Sequence, residues 1–174
     1  MTVAGRGVTD FAPASLLSER TGANLSRERL AQAASRHEPC LSAAHISLYE
    51  LGRRTPQLST VAALAKALGV EVRVLLVPVD TADLARLRVE AGLRQGDLAR
   101  ILGLPQARWS RTERGLAPAE ARVLRQAAEA LRKPYEVVAR SAVHTRRVAL
   151  SAPPGRGWRR EMTMPVRRLT TYAP

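Results

Sequence analysis

The sequence predicts an all-α protein made of two copies of one small helical unit, followed by a basic and mostly irregular tail. Three observations carry this reading. Apolar residues make up 45% of the 174 residues, yet aromatics only 3%. Alanine and leucine dominate the apolar set, and Ile46 and Ile101 are the only isoleucines. That composition suits helices, because strands prefer β-branched and aromatic side chains. The second observation is self-similarity. Leu25, Leu30 and Ala31 recur as Leu93, Leu98 and Ala99, an offset of 68. Ile46, Ser47, Glu50, Gly52, Val61, Ala65, Ala67 and Leu68 recur as Trp109, Ser110, Glu113, Gly115, Leu124, Ala128, Ala130 and Leu131, an offset of 63. An insertion of five residues in the first copy, near residues 35–39, accounts for the difference. Two long in-register blocks separated by one insertion mark an internal duplication. The third observation is a change after Val138. Residues 141–174 hold Pro153, Pro154, Pro165 and Pro174, lack a helical period, and set seven arginines against Glu161, a charge of +6.

Taken in order, residues 1–13 read as a flexible N-terminus without period. The first unit is placed at 14–80. Ser26 before Arg27-Glu28-Arg29-Leu30-Ala31 is an N-cap, with Arg29 where a capping box puts Glu. Val61, Leu64, Ala65 and Leu68 share one helix face, and Gly69 stops that helix. Val70 to Val79 is an apolar, hinge-like joint too short to hold two units apart. The second unit, placed at 81–140, is the cleaner copy. A helix from about Gln95 to Leu102 meets a turn at Gly103, and a second helix runs from about Pro105 to Arg114 and stops at Gly115. Leu98, Ala99, Leu102, Leu104, Trp109 and Thr112 face inward, leaving Gln106, Ala107, Arg108, Ser110 and Arg111 outward. The basic Pro/Arg-rich tail is placed at 141–174.

Charge narrows the partner. The 28 basic residues exceed the 15 acidic ones by 13, which points to a polyanion. Only Lys66 and Lys133 are lysines, so arginine richness from a GC-rich genome is a competing account. Cys40 is the single cysteine, so no internal disulfide is expected. The start MTVAGRGVTDFAPAS has no apolar signal core and no run is long enough to cross a membrane, so a cytoplasmic protein is expected. His37, Cys40 and His45 have metal-ligand spacing without a fourth ligand, and read as a polar surface insertion. No catalytic set appears; no metal, cofactor or enzymatic activity is expected.

The helix-turn-helix geometry, with helices crossing at about 90–120°, pushes the second helix into the major groove of DNA. In Gln95, Leu98-Ala99, Leu102-Gly103, Trp109-Ser110-Arg111 and Glu113-Arg114-Gly115 the chain resembles the lambda-repressor-like, or Xre-type, helix-turn-helix proteins. The first copy shows the pattern as Leu25-Ser26, Leu30-Ala31, Ile46-Ser47, Glu50, Gly52 and Leu64 to Val70. The resemblance spans about residues 14–138 and implies two tandem domains of about five helices each. It implies that Gln95 meets phosphate and that Gln106 and Arg111 read bases, since glutamine pairs with adenine and arginine with guanine. Arg108 and Ser110 hold phosphate, Ala107 touches a thymine methyl, and Arg114 flanks them. In the first copy Arg27 stands for Gln95, and Ala43, Ala44, His45, Ser47 and Leu48 face outward. That copy grips phosphate through Arg27, His45, Ser47, Arg53 and Arg54 while reading little, or else turns Leu48 to a protein interface. In the tail, Arg146, Arg147, Arg156, Arg159, Arg160, Arg167 and Arg168 with Trp158 suit an arm on DNA. Val148 to Leu150 and Met162 to Val166 are candidate strands of a dimer contact.

The expected function is sequence-specific binding of double-stranded DNA by a bacterial, nucleoid-associated transcription regulator of the Xre type. One alternative is an antitoxin-like or adaptor protein that also binds a protein partner or a second copy through the first unit or the tail. Another is a non-specific basic DNA-binding protein.

Overall fold

The structure, a computed structural model, describes residues 7–38 and 40–151. Unit 1 contains α1 (Pro13–Gly22), α2 (Arg27–Ser35), α3 (Ala43–Glu50), α4 (Leu58–Leu68) and a 3-10 turn at Val72–Leu75. Unit 2 contains α5 (Leu84–Glu90), α6 (Gln95–Ile101), α7 (Gln106–Glu113), α8 (Ala121–Leu131) and α9 (Tyr135–Ser151). The described residues hold no strand beyond an isolated bridge between Phe11 and Leu76. The all-α, two-unit architecture expected from composition and repetition is observed.

Local chemistry sets the helix ends. Ser26 caps α2 by accepting the Arg29 N–H, and Asp83 caps α5 by accepting the Arg86 N–H. Among the described residues, the eight with left-handed backbone form four pairs across the duplication: Asn24 with Gly92, Cys40 with Gly103, Gly52 with Gly115, and Gly69 with Arg132. Gly103 turns the chain between α6 and α7, and Cys40 takes that conformation in unit 1. The insertion is also visible. From the start of α2 to that of α3 is Arg27 to Ala43; from α6 to α7 it is Gln95 to Gln106, five residues fewer. Two of the five lengthen α2 and three lengthen the turn; Pro39 lies outside the described residues.

Each unit closes on its own core. In unit 1 the core is built on Leu16, Leu30, Ile46, Val61, Leu64, Leu75 and Leu76. In unit 2 it is built on Leu84, Leu87, Leu98, Trp109, Leu131 and Val138. The units abut. Val89 of α5 packs against the core of unit 1. Buried Arg86 faces Asp10 of unit 1 at 3.6 Å and Glu90 at 3.1 Å, and Glu90 also meets Lys133 at 3.4 Å.

Four sequence expectations change. The start of the chain is not loose from residue 8 onward: Phe11 is 6% exposed, the Val8 N–H donates to the Pro56 carbonyl, and Pro13 opens α1. The segment at 70–79 is not a hinge, because Leu75 and Leu76 are core residues and the Ala12 N–H donates to the Leu75 carbonyl. Pro105 precedes α7 as its N-cap rather than entering its first turn. Residues 141–151 are not irregular tail: α9 continues to Ser151, with Ser141 and Thr145 buried. Thr145 Oγ1 donates to the Ser141 carbonyl and accepts the Leu84 N–H, which seats α9 on the start of α5. Val148 to Leu150 are therefore helical, not a strand. The tail sites at Arg156, Trp158, Arg159, Arg160, Arg167 and Arg168, and the segment Met162 to Val166, lie outside the described residues.

Candidate nucleic-acid interface

The outward face of α7 forms because its other face is committed to the core. Trp109 and Thr112 are buried, Trp109 completely. At helical spacing this leaves Gln106, Ala107, Arg108 and Arg111 exposed and Ser110 half-buried, as expected. Among the described residues Arg111 makes no ion pair. Arg108 pairs with Glu120, but both are more than half exposed, so salt and phosphate compete readily. The Arg114 Nε donates to the Ser110 carbonyl and keeps its guanidinium beside the helix end. Gln106 lies against Gly96, where a Cβ would stand 3.3 Å from Gln106 Oε1.

A buried carboxylate fixes this arrangement. Glu113 accepts the Arg88 Nε on one oxygen and the Gln95 amide on the other. Arg88 also donates to the Leu93 carbonyl at 2.8 Å. One side chain thus joins α5, the start of α6 and the end of α7. Gln95, expected at phosphate, is half-buried and oriented by this bond. Unit 1 repeats the device. Glu50 accepts the Nε of Arg20 and the Nε of Arg27 at 2.7 Å, and Arg20 donates to the Leu25 carbonyl. Burial raises the Glu50 pKa, but the hydrogen bonds and charges of the two arginines outweigh it and hold the carboxyl below the ordinary glutamate range. Sequence reasoning aligned the two glutamates but missed their donors. The signal was present: Arg20 and Arg88 stand 68 residues apart, as Leu25 and Leu93 do.

In unit 1 the expected contacts are less available. Arg27 is tied to Glu50. His45 closes a capping box, with the Ser42 N–H donating to its Nδ1 at 3.3 Å, and its ring stacks on Tyr49. This holds His45 at the helix start, away from His37. Among the described residues no three metal-ligating side chains gather. Ser47 is half-buried, Ala44 is exposed, and Arg53 and Arg54 are exposed after α3. Leu48, weighed as an interface residue, is half-buried; Leu51 is the exposed leucine of that segment.

Comparison with known families matches this geometry. A family model described as a helix-turn-helix matches residues 16–75, and one described as a helix-turn-helix domain matches residues 82–140. The chain belongs to the helix-turn-helix family, as two tandem Xre-like units. No curated protein and no solved structure matches it. Such helix-turn-helix domains support a DNA-binding regulator of the Xre type. In this tandem helix-turn-helix protein, no described helix is long and apolar enough to cross a membrane.

Proposed function

We propose that the protein regulates transcription by binding a specific duplex DNA sequence, that α7 is its reading helix, and that it performs no chemistry. One observation carries this reading: Gln106, Ala107 and Arg111 stand exposed on a helix whose C-terminal end is fixed by buried Glu113. A preorganised helix with free glutamine and arginine side chains is what base readout in the major groove requires. Arg108, Ser110, Arg114 and Gln95 are assigned to phosphate. Unit 1 is assigned a supporting grip through Arg53 and Arg54, with Arg27, His45 and Ser47 contributing less because their groups are partly committed. The protein is expected in the bacterial cytoplasm, on the nucleoid.

Selection of random duplex DNA by the full-length protein at physiological salt tests this. A recovered motif that is lost in the Gln106→Ala/Arg111→Ala double variant supports it, because each such contact carries about 1–3 kcal/mol of base discrimination. Ala44→Ser and Leu48→Ala should leave the motif intact. DNA retained without any motif, and released steeply by salt, would identify a non-specific binder instead.

A further inference from the structure

We infer that unit 2 carries a docking groove for a short, acidic, aromatic-bearing segment of a partner protein. The groove is a mainly apolar cavity of about 660 Å³ between the turn after α7, the start of α8 and the outer half of α9. It is separate from the outward face of α7. Thr112, Gly115, Pro118, Ala119 and Ala139 line it.

The duplication indicates what such a surface holds. At the offset of 63 those five residues correspond to Tyr49, Gly52, Thr55, Pro56 and Leu76. In unit 1 these surround one segment, Gly7 to Pro13. The Phe11 ring meets Tyr49 edge-on at 6.4 Å and its backbone bridges Leu76. The Val8 N–H donates to the Pro56 carbonyl, Gly7 lies against Thr55, and Pro13 lies beside Gly52. Among the described residues of unit 2 none plays the part of Phe11, although Thr145 and Ala149 of α9 stand over Gly115 where Pro13 stands over Gly52; the counterpart of Phe11 at the offset of 68, Val79, is exposed. The lining has also become smaller. Tyr49, Pro56 and Leu76 are matched by Thr112, Ala119 and Ala139, which makes room for a large anchor. Val143 and Leu150 stand on the α9 wall, 70% and 68% exposed.

Backbone bonding and charge define the occupant. The unit 1 segment is held by the Val8 bond and by an Ala12 N–H donated to the Leu75 carbonyl; it turns between Val8 and Phe11, where the Phe11 N–H donates to the Val8 carbonyl, and it sets Asp10 next to Phe11. Among the described residues around the unit 2 groove Arg146 and Arg147 contribute the charged side chains, and none of them is acidic. A second copy of this chain, at +13, is repelled. So is residues 152–174, where five arginines stand against Glu161. An acidic segment is attracted, and complementary charge selects it over those alternatives.

Panning short random peptides on the full-length protein tests the inference. Enriched peptides should share an aromatic residue with Asp or Glu nearby. Their binding should weaken by about tenfold or more with Val143→Glu, which places a repelling charge on the wall. Val148→Glu should change it little, since Val148 is 53% exposed on the same helix but does not line the groove. No enrichment, enrichment of basic peptides, or equal binding to both variants would overturn the inference. Two further results would also overturn it by naming another occupant. One is self-association of the wild type that Val143→Glu abolishes. The other is tighter peptide binding in Trp158→Ala, which would assign the groove to the chain's own tail.

Discussion

Gly115→Ala should destabilise unit 2 far more than the matched Gly52→Ala destabilises unit 1. Both glycines follow a reading-type helix with left-handed backbone, at φ +70 and +65. An alanine there incurs about 1–2 kcal/mol for that conformation, offset by about 0.4–1 kcal/mol because alanine restricts the unfolded chain. The sites differ in what a Cβ would meet. At Gly52 it would stand 3.6 Å from Pro13 Cγ, an ordinary contact. At Gly115 it would stand 2.6 Å from the Thr145 carbonyl oxygen and 2.7 Å from Ala149 Cβ, with helix backbone behind. So α9 must retreat. That strains the Leu84 N–H bond to Thr145 Oγ1 at 3.1 Å and the Arg146 bond to the Gly115 carbonyl at 2.6 Å. At about 1 kcal/mol net each, their loss brings Gly115→Ala to about 3 kcal/mol, against about 1 kcal/mol for Gly52→Ala. Urea unfolding read by Trp109 fluorescence in a Trp158→Phe background reports unit 2, because unit 1 has no tryptophan. Circular dichroism follows unit 1. Equal losses for the two variants would refute the seating of α9 on this turn.

Glu113→Ala leaves Arg88 partly buried without its carboxylate and should cost about 3 kcal/mol in urea unfolding. It should also weaken DNA binding, because Gln95 loses its orienting bond; undiminished affinity would refute that role. Arg132→Gly should raise unit 2 stability by about 0.5–1 kcal/mol, since Arg132 holds a left-handed helix cap at φ 52 where unit 1 uses Gly69. Glu50, with its pKa lowered in the folded state, binds fewer protons there than in the unfolded chain. Its stabilisation is therefore present above about pH 4.3 and lost as pH falls below it. Thermal midpoints measured from pH 7 to pH 3 should drop less steeply for Glu50→Gln than for wild type.

Much of this was legible in the sequence because the duplication compares the chain with itself. Of the inward set, Leu98, Ala99, Leu102, Trp109 and Thr112 are buried and Leu104 half-buried; of the outward set on α7, Gln106, Ala107, Arg108 and Arg111 are exposed and Ser110 half-buried. What was hidden follows from polar atoms that are satisfied inside. The buried face of outer α9 is Ser141 and Thr145, so no apolar period marks it; their hydrogen bonds, not hydrophobicity, seat the helix. Phe11 lies in a stretch without period, and its burial depends on a long-range bridge to Leu76. Arg20 and Arg88 look like surface charge until the glutamates 30 and 25 residues away fold onto them.

The two units commit their polar groups differently, and one line of contacts connects them. In unit 1 both cations around Glu50 are spent inside, and His45 is spent on a cap, so α3 is firmly held and offers little to bases. In unit 2 a neutral Gln95 replaces the second cation, and α7, the proposed reading helix, keeps Gln106 and Arg111 exposed. The helix that carries Arg88 is α5, and α5 rests on unit 1 through Val89 and through Arg86 facing Asp10. Arg88 fixes Glu113, and Glu113 fixes Gln95. The core of unit 1 therefore forms part of the foundation under the reading helix of unit 2. On the proposed reading, a unit that reads little still has a reason to stay rigid: its packing against α5 is transmitted, residue by residue, to the side chains assigned to DNA.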